Sequence, residues 1–456
     1  MVLKKRYFGT DGIRGFANRE PITVETLVRI GRAAACFFKE KHSGCEKLPL
    51  MIGKDPRISS DMVESSITAG LLSAGMDVRV SGVITTPALG YLVRTSDSSG
   101  GIMVSASHNP FHDNGIKFFN SRGEKLTDED ELEIESIMER DSSSELSSGA
   151  DIGRRYQCID ARKKYLCFLK DSIFPGENSP LSGIKVVLDC ANGAAYKLAP
   201  EFLTSLGAEL ITTGVSPDGV NINDGVGALY PEKVSNIVKE GKFDAGICLD
   251  GDGDRIICVD EKGDLIDGDK LMGIFAREMK NTNRLKNNML VTTVMTNSGL
   301  DKFLDDNDIS MLRTDVGDRY VARKMRETGA VLGGESSGHI IFFGINPTGD
   351  ALIAAAETLK LLKKNKKPLS FLSKEIKLLP QIKKTVRVNS KPPIEEIAIL
   401  DAAVKSAEKK LDGGRILMRY SGTEPLMRVM AESNNKSQAE IVTDEISSIV
   451  KKILGD

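Results

Sequence analysis

Short apolar strands alternate with amphipathic helices along most of this chain, and that alternation constrains its fold more than any other feature. Residues 23–41 read as a helix N-capped by Thr23, 50–53 as a buried strand, 60–74 as a helix capped by Ser60 or Asp61, and 77–80 as the next strand. Parallel strands need a long crossover, so this rhythm predicts a parallel sheet with helices on its faces. The rhythm restarts after a serine-rich, acidic stretch over 139–151 and again near Ile256. Three α/β units in a row suggest one topology used three times, although no residue-level repeat is visible. The last quarter differs: beyond Leu379-Pro380 it reads strand, helix, strand, strand, helix, a small α+β domain. The fold class is therefore three similar α/β domains with mixed or parallel sheets, followed by a smaller α+β domain. The boundaries fall at 1–155, 156–256, 257–372 and 378–456.

Length and charge bound the function. A chain of 456 residues suggests about three or four domains. A net charge of −2, with no Trp, argues against a nucleic-acid or anionic-membrane surface. No signal peptide and no run long enough to span a membrane is expected. Seven dispersed cysteines without CxxC spacing read as reduced thiols, which points to a cytoplasmic protein.

Four loops carry chemistry. In the run 101–110, a short strand ends in Ser105-Ala-Ser-His-Asn-Pro110, which places Ser107 on a tight loop where its hydroxyl can act as a nucleophile or carry a phosphoryl group. His108 is adjacent, but neighbours in an extended loop point apart, so no Ser-His pair is implied. Taken alone, the loop reads more readily as a set of capped turns, with Ser105, Ser107 and Asn109 as the caps. Asp250, Asp252 and Asp254 alternate with Gly251 and Gly253 between two apolar strands. Three carboxylates so close repel unless a cation neutralises them, and all-oxygen donors suit a hard cation such as Mg2+. An EF-hand is excluded, because Arg255 stands where that loop needs glycine.

Gly334-Glu-Ser-Ser-Gly338 fits the spacing of a hydrolase nucleophile elbow, but residues 339–343 read as a strand where the elbow needs a helix. Glu335, Ser337 and His339 alternate instead, suited to sugar hydroxyls. Arg419, Ser421, Gly422, Thr423 and Arg428 make a phosphate cradle by composition. The loop 314–319, with Asp315, Asp318 and Arg319, is a weaker candidate for supporting the metal or a phosphate. Asn114-Gly115 reads as a turn, Lys117 as a strand lysine that is more often solvated, and the segment 9–15 as a turn-rich loop aiming Arg14.

These four motifs, in this order and spacing, resemble the α-D-phosphohexomutases over the whole chain. The opening Phe8-Gly-Thr-Asp-Gly-Ile-Arg-Gly15 and the run 113–119 are most similar to members acting on glucosamine phosphates. The resemblance implies four domains around a central cleft and an intramolecular phosphotransferase. Ser107 would be the phosphoserine, and would share one Mg2+ with Asp250, Asp252 and Asp254. Glu335, Ser337 and Arg255 would contact the sugar phosphate, and Arg419, Ser421, Gly422, Thr423 and Arg428 the non-reacting phosphate. Lys117, His339, Arg14 and His108 would serve proton transfer and phosphate contact. The implied substrate is a hexosamine phosphate, glucosamine 6-phosphate, primed by glucosamine 1,6-bisphosphate and feeding amino-sugar nucleotide synthesis. The resemblance is also compatible with a homodimer. Ser336 departs from the residues usual between Glu335 and Ser337 in the family, so mannose and glucose phosphates stay open as alternatives.

Overall fold

The computed structural model describes residues 5–42, 48–140, 146–421 and 425–455. Its strands form four sheets. The first holds β1 (Ile13–Phe16), β2 (Leu50–Lys54), β3 (Val78–Val83), β4 (Gly100–Val104), β5 (Asp113–Asn120) and β6 (Arg155–Gln157), in the order β1-β5-β4-β2-β3-β6. The second holds β7 (Lys185–Asp189), β8 (Glu209–Thr213), β9 (Ala245–Leu249), β10 (Ile256–Val259) and β11 (Leu265–Ile266), in the order β11-β10-β9-β7-β8. The third holds β12 (Met289–Thr293), β13 (Ser310–Thr314), β14 (Leu332–Gly334) and β15 (Ile340–Phe342), in the order β13-β12-β14-β15. The last is an antiparallel set, β16 (Gln381–Arg387), β17 (Arg415–Tyr420) and β18 (Leu426–Glu432), with β18 central.

One topology does recur three times. Each α/β sheet contains a parallel trio whose third strand turns back into an antiparallel fourth: β4 into β5, β9 into β10, β14 into β15. The Ser107 loop, the Asp250–Asp254 loop and the Glu335–His339 loop are those three reversals. The fourth motif spans the β17–β18 reversal. A single structural position, used in each of the three α/β units, supplies three of the four chemical loops, and a hairpin of the antiparallel sheet supplies the fourth.

The pattern of burial explains why the loops stay together. One apolar core runs through the first three units, from Met51 and Leu89 through Phe202 and Leu249 to Leu271 and Leu352. The C-terminal unit has its own core, built on Leu400, Met427, Val429 and Ile446. The cradle therefore rides on a separately packed body. In the first unit, helices Val24–Lys41 and Ser60–Ser73 pack backbone to backbone: a Cβ at Gly31 would sit 2.4 Å from the Ile67 carbonyl oxygen, and one at Gly70 2.3 Å from that of Val28. Thr23 caps the first of these helices by accepting from the Thr26 amide.

Several expectations are corrected. Residues 13–16, expected as loop, form β1 against β5, so Asn114-Gly115 lies inside a strand and not at a turn. Gly115 is needed because three chains meet there; its Cβ would fall 2.8–2.9 Å from the Ile13 carbonyl oxygen, the Arg14 side chain and the Ser105 carbonyl oxygen. Ser59 and not Ser60 holds the helix N-cap position, and the Ser60 hydroxyl donates to Asp55. β6 joins the first sheet beyond residue 155, and β10 and β11 join the second beyond residue 256, because the reversal after the aspartate loop must pair with β9. The six described cysteines are free thiols. No helix among the described residues is long and apolar enough to cross a membrane.

Candidate active site

Ser107 stands at the end of β4 with φ +53°, a left-handed conformation uncommon for a residue carrying a Cβ. The surroundings hold it there. Its amide donates to Ser105 Oγ at 2.9 Å, and its carbonyl accepts from Arg57 Nη2 at 2.9 Å and Asn223 Nδ2 at 3.0 Å. Arg57 also donates to the carbonyls of Asn109, Pro110 and Asp113, while its Nε pairs with Asp55 Oδ2 at 2.9 Å. Both side chains of that pair are fully buried. Gly251 of the second unit presses on the same loop; a Cβ there would meet the Ser107 carbonyl oxygen at 2.4 Å.

The turn brings Ser107 Oγ to Asp250 Oδ2, 2.7 Å away across the unit boundary. It also corrects one expectation. Ser107 Oγ and His108 Nδ1 lie 3.3 Å apart, because the loop is left-handed at Ser107 and not extended. Burial, reinforced by the Arg255 and Arg14 charges, pushes the His108 imidazolium down to about 4, so this ring is neutral near pH 7.

Asp250, Asp252 and Asp254 are buried, with one oxygen of each within 4.8 Å of the others. Burial and the charges of Asp254 and Asp252 hold the Asp250 carboxyl well above its usual range. Asp252 and Asp254 are likewise pushed up by burial, but the Lys117 ammonium outweighs that and leaves both below it. Lys117 Nζ lies 2.7 Å from Asp252 Oδ2, 3.7 Å from Asp254 Oδ2 and 3.2 Å from Asp11 Oδ2. The lysine expected as solvated is thus buried and serves as the counter-charge. Thr86 adds a hydroxyl to Asp252 Oδ2. Asp252 Oδ1 and Asp254 Oδ1 are buried without any donor. Two orphaned carboxylate oxygens in an all-oxygen cluster fit a hard divalent cation.

The third loop is stitched directly to the second. Arg255 and His339 form a backbone bridge, and the Ile256 amide donates to the Gly338 carbonyl at 3.1 Å. Within the loop, Ser337 Oγ donates to Glu335 Oε2 at 3.3 Å, and Glu335 Oε1 accepts from the Gly317 amide at 3.1 Å. His339 Nδ1 faces Asp254 Oδ2 at 3.5 Å. Burial opposes charging that ring, but Asp254 and Asp318 outweigh it and raise its pKa. Arg14 is anchored by Asp11 and reaches the Ala106 carbonyl, beside the Ser107 loop. The Arg255 guanidinium is stabilised as a cation by Asp254, Asp250 and Glu335 in spite of burial.

On the C-terminal hairpin, Arg419 stands directly across from Arg428. Like charges in register repel. Burial and the Arg428 charge lower the Arg419 pKa, with Glu335 of the third unit acting against them. Arg419 Nε is buried without an acceptor. An anion between the two arginines would relieve both strains. Ser421 is buried beside them, and Lys391 donates to its carbonyl at 2.6 Å. Gly422 and Thr423 lie outside the described residues.

Some participants were not singled out from sequence: Asp11, Asp55, Arg57, Thr86, Lys125, Asn223 and Lys391. Asp55-Pro-Arg57 has the composition of a turn, but two opposite charges flanking a proline beside a buried strand are a usable signal. In the loop 314–319, Asp318 reaches His339 Nε2 at 3.4 Å, whereas Arg319 turns to Asp128 and Glu131 of the first unit and Asp315 is exposed.

Four family models match in sequence: phosphoglucomutase/phosphomannomutase alpha/beta/alpha domain I over residues 5–145, domain II over 163–263, domain III over 267–378 and the C-terminal domain over 384–449. The chain belongs to the phosphoglucomutase/phosphomannomutase family. Among curated relatives, the phosphoglucosamine mutase of Syntrophotalea carbinolica is 45% identical over 455 residues, covering 99% of each chain. That of Geobacter metallireducens is 46% identical over 453 residues, again 99% of each. In fold, the chain is similar to a phosphoglucomutase/phosphomannomutase family protein of Burkholderia thailandensis (TM-score 0.81, 23% identity, 98% and 97% of the two chains). It is also similar to the N-acetylphosphoglucosamine mutase of Aspergillus fumigatus, solved with GlcNAc-6P and magnesium (TM-score 0.67, 17% identity, 99% and 96%). Within this family, four adjoining domain models account for the four sheets and the four loops.

Proposed function

We propose that this phosphohexomutase interconverts glucosamine 6-phosphate and glucosamine 1-phosphate, with Ser107 as the phosphoryl carrier. The observation that carries the reading is the 2.7 Å contact between Ser107 Oγ and Asp250 Oδ2, which joins the nucleophile loop to the acidic cluster. Full-length relatives of the same activity support the choice of sugar.

In the forward direction the bond from phosphorus to Ser107 Oγ breaks and a bond to the sugar O1 forms. The O1 proton passes to a basic group of the cleft, and a 1,6-bisphosphate results. The bisphosphate turns over, its O6–phosphorus bond breaks, and the phosphoryl group returns to Ser107 Oγ while O6 takes up a proton. Asp250, Asp252 and Asp254, with the phosphorylated Ser107, would hold Mg2+. Bound there, the ion offsets the charge of about −1.5 to −2 on a serine phosphate near neutral pH. The chain does the rest by placement. Arg57 and Asn223 fix the Ser107 loop, Glu335 and Ser337 offer an acceptor and a donor to sugar hydroxyls, and Arg14 and Arg255 offer cations to phosphate oxygens. Arg419 and Arg428 would hold whichever phosphate is not reacting, and a single cradle must accept both ends of the turning sugar. A bisphosphate supplied in trace amounts would prime Ser107.

The test is kcat/KM on glucosamine, glucose and mannose 6-phosphates side by side, with Mg2+ and a trace of the matching bisphosphate. A preference for the glucosamine compound of about 10²-fold or more is expected, which equals about 2.7 kcal/mol in transition-state binding. Equal or better rates with mannose or glucose phosphate would reassign the sugar and point to the loop around Ser336.

A further inference from the structure

The helix Thr86–Thr95 belongs to the first unit, yet its first turn is seated on the aspartate loop of the second. Thr86 holds Asp252 at two points. Its amide donates to the Asp252 carbonyl at 2.9 Å, and its hydroxyl donates to Asp252 Oδ2 at 2.5 Å, a separation usual for a hydroxyl on a carboxylate. The neighbouring Thr85 side chain covers Gly253, where a Cβ would fall 2.6 Å from Thr85 Cγ2. Thr85, Thr86 and Asp252 are fully buried. The helix is also anchored away from the loop. Ala88, Leu89, Leu92 and Val93 pack into the core shared by the first three units, and the Pro87 carbonyl accepts from Asn346 of the third at 3.3 Å.

Asp252 Oδ2 thus has two side-chain donors, Thr86 and Lys117, while Oδ1 has none. The two donors differ in stiffness. The lysine ammonium ends a flexible four-carbon stem and can follow a carboxylate that turns. The threonine hydroxyl sits on a β-branched side chain that is stiff at χ1, and its own backbone is tied to the same aspartate. Of the two, the threonine is the group able to fix the plane of the carboxylate.

We infer that Thr86 is a positioning residue for the acidic cluster: it fixes the Asp252 carboxylate through Oδ2 and leaves Oδ1 to a divalent cation shared with Asp250 and Asp254. The inference rests on the reading of that cluster as an Mg2+ site. Partners that orient a metal's ligands change its affinity by about 10–100-fold without touching the ion.

The experiment compares the full-length protein with three variants. Thr86→Val keeps the shape and removes the hydroxyl, and Thr86→Ser keeps the hydroxyl. Thr443→Val makes the same exchange at a buried threonine of the C-terminal unit. Mg2+ binding is measured by titration calorimetry without sugar, with the phosphorylation state of Ser107 matched by intact mass. Mutase turnover is measured against Mg2+ concentration. In Thr86→Val the Mg2+ Kd rises about tenfold or more, and the Mg2+ concentration for half-maximal turnover rises with it. KM for glucosamine 6-phosphate at saturating Mg2+ stays within about threefold. Thr86→Ser and Thr443→Val hold the Mg2+ Kd within about threefold of the unaltered protein. A hydroxyl with a purely structural role would lower the melting midpoint in both valine variants and leave the Mg2+ Kd alone. An unchanged Kd in Thr86→Val overturns the inference, as does an equal rise in Thr86→Ser or Thr443→Val. Thr86→Ala takes the place of the valine variant if that protein does not fold. Absence of Mg2+ binding in the unaltered protein would overturn the metal reading itself, and the inference with it.

Discussion

Ser107→Ala lowers mutase turnover by roughly 10³-fold or more and leaves the fold in place. The hydroxyl is the only group removed, and in the proposed mechanism it is the one that accepts and donates the phosphoryl group. Positioning by the cradle, the sugar loop and the acidic cluster survives, yet there is no acceptor for them to serve. Stability changes little for two reasons. Alanine and serine meet the same backbone penalty at φ +53°, because both carry a Cβ. The loop itself is held through backbone groups, the Ser107 amide to Ser105 and its carbonyl to Arg57 and Asn223, and not through the hydroxyl. The hydroxyl's contacts with Asp250 and His108 are lost, worth about 1 kcal/mol each. Mutase assay and thermal melting of the same preparation check both halves. Near-normal turnover would remove Ser107 from the mechanism.

Arg57→Ala has the largest expected effect on stability. Its guanidinium is the buried partner of Asp55 and the donor to four carbonyls of the Ser107 loop. Truncation leaves a fully buried carboxylate with its cation gone. Removing one partner of such a pair costs about 3–5 kcal/mol. For a chain of 456 residues melting as one unit that lowers the midpoint by roughly 3–5 °C. Activity falls as well, because the left-handed turn at Ser107 loses the contacts that enforce it. Arg57→Lys does not restore the site, since an ammonium cannot span Asp55 and four carbonyls as the planar guanidinium does. A melting midpoint within about 2 °C of the unaltered protein would show that the clamp carries no such load.

Much of the architecture was legible because strand, helix and turn signals agree locally. The helix over Val24–Lys41, the strand Leu50–Lys54 and the antiparallel C-terminal hairpin follow directly from apolar periodicity and capping. β1 escaped because Gly9-Thr-Asp-Gly-Ile-Arg-Gly15 is punctuated like a turn, and only pairing with β5 makes its second half a strand. Asn114-Gly115 misled for the same reason, since its glycine answers to a crowded sheet and not to a hairpin. The acidic alternation at 250–254 could be read as a cation site from charge repulsion alone. That a buried lysine already shares it could not, because the contact joins residues 135 positions apart. A long-range clamp such as that of Arg57 on the Ser107 loop leaves no periodic trace, and it surfaces only once the sheets are stacked.

The most direct test of the account follows one phosphoryl group. Protein carrying a 32P-labelled phosphate on Ser107 is mixed with an excess of glucosamine 6-phosphate and Mg2+, stopped after a single turnover, and its label traced. The account predicts loss of label from Ser107 matched by label in the sugar bisphosphate and monophosphates, with no inorganic phosphate above background. Label released as inorganic phosphate would make the protein a phosphatase at this site. Label retained on Ser107 while substrate is converted would contradict the carrier mechanism altogether.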